Sequence, residues 1–395
     1  MKSFFEILLT FLKLGLTSFG GPVAHLGFFR DELVDKRKWI GEAQYADVIA
    51  LCQFLPGPAS SQVGFTLGLF RGGWAGGVAA WLGFTLPSAI FLTLCAYGFT
   101  RYTDGVEPGW LTGLKVAAVA VVANALWGMA VNLCPDLVRR LMAFLAAALL
   151  VLVPHPASQL GVILAGAATG LFLISGEAEH KAHEPFPWTP AWKVSMACLV
   201  LFFGLLIGLP LLSRSMDVLA VDLFDSFYRA GALVFGGGHV VLPLLETEVV
   251  RPGWVSAESF LGGYGAAQAV PGPLFTFASF LGASLDPQLW HAPAWAGSVL
   301  CLVAIFLSTW LLVPAALPFW DRLRAQPKAQ GALAGANAVV VGLLLAALYD
   351  PVWIRGISSP GSFALVLVCY FLLAVVKVPA WGVVVLAALS GGFFF

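Results

Sequence analysis

The chain has 395 residues, 59% of them hydrophobic and 11% charged, with a mean hydropathy of +0.89, which excludes an ordinary soluble domain. Basic and acidic residues balance at 21 each, so no basic surface points to nucleic acid or to a polybasic lipid anchor. Six cysteines (Cys52, Cys95, Cys134, Cys198, Cys301, Cys369) stand singly, with no C-x-x-C pair and no metal-ligand spacing; they read as small core hydrophobes, and no metal or cofactor is expected.

The N-terminal apolar stretch carries Glu6 and Lys13 and is followed by no A-x-A-like cleavage site, so it reads as a retained first helix over 3–19. Apolar runs then predict helices at 42–54 continuing as 58–70, and at 73–100, 112–131, 137–153 and 157–175. A polar stretch from Ser175 to Pro190 precedes one extra span, 191–212, and further helices follow at 217–235, 256–269 with 273–285, 294–317, 330–349, 361–376 and 378–395.

The second series repeats the first at a period near 215. Gly15-Leu16-Thr17-Ser18-Phe19-Gly20-Gly21-Pro22 pairs with Gly231-Ala232-Leu233-Val234-Phe235-Gly236-Gly237-Gly238, Trp39 with Trp254, and Gln53-Phe54-Leu55-Pro56-Gly57-Pro58 with Gln268-Ala269-Val270-Pro271-Gly272-Pro273. The chain therefore divides into a first repeat, 1–176, a polar loop plus linker helix, 177–216, and a second repeat, 217–395. The expected fold is an all-α polytopic membrane protein of two inverted-topology repeats with broken Pro-Gly-Pro helices, about thirteen crossings including the linker helix. With a cytoplasmic N-terminus, Arg71, Arg139, Arg140, Lys181, Arg251, Arg322, Arg324 and Lys328 fall on one side. Arg30, Lys36, Arg37 and Lys38 then fall on the other, accompanied by Asp31, Glu32 and Asp35; a re-entrant 42–70 segment would change both the count and the orientation.

Pro-Gly-Pro cannot continue an α-helix, and broken helices at membrane depth persist only where protein or a water-filled cavity surrounds the freed backbone groups. Each break opens a half-helix whose free N–H groups, hydroxyls and positive dipole end suit an anion. The candidate binding residues are Gly20, Gly21, Gln53, Pro56, Gly57, Pro58, Ser60 and Ser61 in the first repeat. In the second they are Gly236, Gly237, Gly238, His239, Gln268, Pro271, Gly272, Pro273 and Thr276. Gln53 and Gln268 serve either the ligand or the freed carbonyls. A tetrahedral oxyanion, which accepts donors from every direction, fits four helix starts converging near the midplane. His25, Lys13, Arg229, Glu32 and Glu246 are candidates for coupling or countercharge, weighed against snorkelling for Lys13 and Arg229 and against solvated charges on interfacial helices over 22–38 and 238–251. His25 and His239 are the expected proton carriers if protons are coupled. No nucleophile elbow, paired-carboxylate motif or Walker loop points to an enzyme or to ATP-driven transport.

These motifs resemble the chromate ion transporter family in its long form with two homologous halves: Phe19-Gly20-Gly21-Pro22 followed by His25, Pro56-Gly57-Pro58 followed by Gln62, Phe235-Gly236-Gly237-Gly238, and Pro271-Gly272-Pro273 followed by Phe275. Trp39, Trp254 and Leu86-Pro87-Ser88 also fit, while Val313-Pro314-Ala315 lacks the serine expected after the proline. The resemblance implies a secondary transporter of the plasma (inner) membrane that exports chromate and confers chromate resistance, with sulfate as competitor. From the residues alone an oxyanion uptake carrier and a passive anion channel remain open, as does the oligomeric state.

Overall fold

The structure, a computed structural model, describes residues 2–102, 109–153, 156–174, 186–235, 238–320, 322 and 326–394. Among the described residues all regular structure is helical, and five helices are long and apolar enough to cross a membrane. Gly236, Gly237, Lys181 and Arg324 lie outside the described residues.

The first repeat opens with two helical hairpins. α1 (Lys2–Thr17) breaks before α2 (Gly21–Phe29), which continues as a π-helical turn, Arg30–Lys36. The chain folds back at the glycines, since Phe11 packs edge-on against Phe29 at 5.7 Å and Lys13 Nζ lies 3.0 Å from Glu32 Oε2. α3 (Glu42–Phe54) and α4 (Ala59–Tyr102) fold back at Pro56-Gly57-Pro58 in the same way. There Cys52 Sγ and Thr66 Oγ1 stand 3.8 Å apart, whereas fourteen residues of continuous helix would separate them by about 21 Å. Of the two readings left open for 42–70, a crossing and a re-entrant hairpin, this contact agrees with the hairpin. α4 is itself two arms, broken at Gly72 and Gly73 as 58–70 and 73–100 predict, and Gly68 meets Gly76 across the bend. Arg71 reaches Glu6 at 3.5 Å and lies over Trp39, as does Arg37. The start of α1, the 37–41 turn and the bend of α4 therefore share one end of the molecule.

The second repeat is built on the same plan. α9 (Leu219–Ala232) folds back through a 3-10 turn (Gly238–Val240) into α10 (Val241–Leu245) and a π-helical turn (Glu246–Val250), with Arg229 on Glu248 at 2.7 Å. α11 (Ala257–Ala269) folds back through a 3-10 turn (Leu274–Thr276) into α12 (Phe277–Ala283), with Phe260 on Phe277 at 5.2 Å. Gly282 then meets Gly297 of α13 (Ala294–Ala316), as Gly68 meets Gly76.

α8 (Trp192–Ser215) joins the repeats. Near its start, Trp188 meets Trp74 at 5.8 Å and Trp192 meets Phe319 at 4.8 Å; at its end, Ser213 donates to Asp222 at 2.5 Å. Arg251 lines the same cavity as Ser213 and Asp222, so it sits at the end of the molecule opposite Arg71, a correction to the expected grouping. The second arm of α4 and α13 run antiparallel, because Trp81 meets Trp310 at 4.7 Å while Thr93 meets Ser298 at 2.7 Å.

The repeats interlock through their long central helices. α5 (Gly109–Leu133) packs against α16 (Pro360–Phe371) and α17 (Ala380–Phe394) of the second repeat. Reciprocally, α14 (Pro327–Ala347) packs against α6 (Leu137–Leu152) and α7 (Pro156–Leu173) of the first. A π-helical turn (Leu348–Trp353) and α15 (Ile354–Gly356) follow α14. Small residues four apart let these backbones touch: Gly109 and Gly113 against Ala387 and Gly391, Gly166 and Gly170 against Gly331 and Gly335. Exposed apolar faces remain, such as Leu201, Phe203, Ile207 and Leu211 on α8.

Candidate functional site

The four hairpin tips meet. Gly57 N donates to Val234 O at 2.7 Å, and Gly272 N donates to Ser18 O at 2.9 Å. These are matched positions, so each Pro-Gly-Pro is braced by the glycine tip of the other repeat. A Cβ on Gly238 would lie 3.6 Å from both Pro22 and Leu274, which brings the remaining tips together.

The braces depend on glycine. Gly57 has φ 123° and Gly272 φ 97°, in the left-handed region that other residues enter at a cost. A Cβ on Gly57 would meet Gln62 Nε2 at 2.5 Å, and one on Gly272 would meet Ser88 Oγ at 2.9 Å.

Around the tips, hydroxyls and amides are buried and only partly satisfied. Gln62 Nε2 donates to Pro56 O at 2.7 Å, which leaves buried Gln62 Oε1 without a partner. Ser18 Oγ and Ser61 Oγ are likewise buried and unpaired. Gln62 N bonds Pro58 O at 2.9 Å, so the N–H groups of Ala59, Ser60 and Ser61 precede the first in-helix donor and are free of the ladder. Buried polar atoms without partners are exceptional and mark a place for a ligand or water.

Other predicted residues separate from this cluster. Ser60 Oγ faces His25 Nδ1 at 3.3 Å, and His239 Nδ1 faces Tyr264 Oη at 2.8 Å, so each histidine is held by a hydroxyl. Thr276 Oγ1 turns back on Pro273 O at 2.7 Å. Gln53 is exposed, while Gln268 is half-buried with its Nε2 unpaired. Among the described residues the four helix starts are not equivalent: Ala59 and Gly21 open α-helices, whereas Gly238 and Leu274 open 3-10 turns.

The charged candidates sit toward the hairpin bases. Glu32, its side chain 8% exposed, is held by Lys13 at 3.0 Å, Arg37 at 2.9 Å and Lys36 at 3.8 Å. Arg229 grips Glu248 with two hydrogen bonds. Glu246 is buried and stands 3.8 Å from Arg251. The expected solvated charges therefore hold for exposed Arg30 and Asp31 but not for Glu32, Glu246 or Glu248. Lys13 and Arg229 are spoken for by carboxylates and are not free countercharges.

Three interior residues were not singled out from the sequence as site candidates. Gln62 was read only as a residue following the motif, and its signal was a long amide directly after paired serines. Lys115 is buried on α5, and Asn337, with an unpaired Oδ1, occupies the matched place on α14 after Gly113 and Gly335; a lysine within an apolar run was the available sign. The serine missing after Pro314 also has a stand-in. Gly15 packs on Gly83 and Phe84, and Gly231 packs on Ile305, which sets Phe84 against Ile305 and Ser88 against Thr309.

Comparison with known proteins gives one family. The model of the chromate transporter family matches residues 5–171 and 221–392, one stretch in each repeat. The chain is 26% identical to a probable chromate transport protein of Synechococcus elongatus over 343 residues, 86% of this chain and 82% of that one. It is 26% identical to the chromate transport protein of Pseudomonas aeruginosa over 359 residues, 88% and 81% of the two chains. It is 25% identical to that of Cupriavidus metallidurans over 352 residues, 87% and 81%. No solved structure matches the chain significantly.

Proposed function

Because the chain belongs to the chromate transporter family, a multi-pass membrane protein family, we propose that it is a secondary carrier exporting chromate across the plasma (inner) membrane, with sulfate as competing analogue. The observation that carries this reading is the convergence of four hairpin tips on the buried, unpaired hydroxyls of Ser18 and Ser61 beside the free N–H groups of α4. That donor set suits a small oxyanion and asks for no lysine or arginine at the tips.

The carrier is proposed to be an inverted repeat. The antiparallel pairing of the second arm of α4 with α13, and the single helix α8 between the repeats, support that topology. Each repeat then has two re-entrant hairpins and four full spans: the second arm of α4, α5, α6 and α7, matched by α13, α14, α16 and α17. With α8 the count is nine in place of thirteen. This reading also resolves the charge conflict. Arg30, Lys36, Arg37 and Lys38 join Arg71, Arg139 and Arg140 on the cytoplasmic side, while Asp222, Glu246, Glu248, Glu258, Asp286 and Asp350 gather outside.

An interior-negative potential favours expulsion of a dianion by about 4.6 kcal/mol per 100 mV, at roughly 2.3 per charge. The test is uptake of radiolabelled chromate into energised everted vesicles, with unlabelled sulfate as competitor. Wild type takes up chromate in a sulfate-sensitive way, and both Gly57→Leu and Gly272→Leu lose the uptake at equal protein level. Well-expressed wild type without uptake overturns the substrate; retention by either variant overturns the shared site.

A further inference from the structure

The base of the α9 hairpin holds a charge cluster that the oxyanion site does not use. One guanidinium there serves two carboxylates. Arg229 Nε and Nη2 stand 3.0 and 2.9 Å from Asp225 Oδ2, while Nη1 and Nη2 donate to Glu248 Oε1 and Oε2 at 2.7 and 2.8 Å. Ser226 Oγ adds a bond to Glu248 Oε2 at 2.9 Å. Asp225 is 4% exposed, and its other oxygen, Oδ1, is buried without any hydrogen-bond partner. A cavity of about 540 Å³ adjoins it, lined by Ser213, Asp222, Asp225, Arg229, Glu248 and Arg251 among others.

One negative charge is thus left over in a buried cluster, and a carboxylate oxygen facing no donor is a costly place for it. We propose that Asp225 Oδ1 takes up a proton from this cavity, making the Asp225–Arg229–Glu248 cluster the proton-coupling site of the carrier. The proposal rests on the carrier reading above, and it moves coupling away from the two hydroxyl-held histidines.

The other groups around Asp225 agree with a single exchangeable proton. Asp222 and Arg229 lie on α9 itself, and Glu248 and Arg251 come from the second arm of the hairpin. α13, packed along α9, carries no charged residue, with Cys301 its one titratable group; α8 ends nearby with exposed Arg214. Protonation leaves Asp225 a neutral acid with a weaker hold on Arg229, and the guanidinium then belongs to Glu248 alone. Because Arg229 ties α9 to the second arm, gaining or losing that proton alters the grip within a hairpin whose tip, Val234, braces Gly57. Among the described residues the first repeat does not copy this device. The matched residue four before Lys13 is Leu9, which is exposed.

Two measurements on the full chain test this, one of them independent of the transported anion. In infrared difference spectra between acid and alkaline pH, wild type shows a protonated-carboxyl C=O band that vanishes in Asp225→Asn, shifts in Asp225→Glu and persists in His25→Gln and His239→Gln. In voltage-clamped proteoliposomes, wild-type chromate flux varies severalfold across pH about 5 to 8, and Asp225→Asn makes it flat while a thermal melt confirms folding. Absence of the wild-type band, its persistence in folded Asp225→Asn, or a wild-type pH profile in that variant overturns the proposal. If Asp225→Asn fails to fold, the band shift in Asp225→Glu decides. Loss of chromate flux in every variant and wild type alike, with the band behaving as expected, overturns the substrate and leaves the proton site standing.

Discussion

The two repeats share a skeleton and differ in chemistry. Matched glycines make matched braces, Gly57 to Val234 and Gly272 to Ser18, yet the residues that follow diverge. After the first Pro-Gly-Pro come Ser60, Ser61 and Gln62 at the head of an α-helix; after the second come Phe275, Thr276 and Phe277 on a 3-10 turn and a short helix. The hairpin bases diverge in sign as well. In the first repeat three cations surround Glu32, and in the second two carboxylates share Arg229. Positions fixed by backbone geometry stayed alike, and positions free to choose side chains separated into a repeat with a hydroxyl-rich tip and one with an acidic base.

The largest expected effect opens the difference at the bases. Arg229→Ala strands buried Asp225 and half-buried Glu248, which costs about 3–5 kcal/mol. Lys13→Ala removes a side chain that is 58% exposed and leaves Arg37 on Glu32, costing about 1 kcal/mol or less. Denaturation in detergent compares them; equal losses would erase the asymmetry.

A smaller pair probes what the repeats have in common. Gly113→Ala presses a methyl onto Ala387 O, and Gly335→Ala presses one onto Gly166 O. Each overpacked helix crossing loses about 1–3 kcal/mol, and the two melts fall together. A loss in only one variant would mean that the reciprocal embrace of α5 and α14 bears weight on one side.

Much of this was legible because it repeats. The doubled Pro-Gly-Pro and glycine runs located all four tips, since proline and glycine declare backbone breaks locally. What the breaks do was not local: whether residues 54 and 59 continue or fold back is decided by Cys52 meeting Thr66, and the thirteen residues of α3 read alike in either case. The ion pairs were hidden for the same reason, since Lys13 and Glu32 become neighbours only once the chain returns on itself. Gln62 escaped notice as a site residue because its importance is an unpaired oxygen, a property of surroundings and not of spacing.

The smallest expected effect separates the repeats by pH. α6 and α16 occupy matched places, and each begins at a capped N-terminus. Asp136 accepts from Arg139 N at 2.9 Å and also binds the Arg139 guanidinium, while Ser359 accepts from Ser362 N at 3.1 Å in a capping box. Replacing either cap by alanine costs about 1 kcal/mol near neutrality. The Arg139 backbone N–H, with its guanidinium, holds the Asp136 carboxyl below the ordinary carboxylate range. A group whose folded pKa is depressed contributes stability that is present above its unfolded pKa and is lost as pH falls through the folded value. The penalty of Asp136→Ala therefore shrinks as the melt is repeated toward acid, while that of Ser359→Ala, whose hydroxyl does not titrate, stays constant. Parallel behaviour of the two variants with pH would mean that the Asp136 charge contributes nothing at this helix start beyond what a hydroxyl supplies.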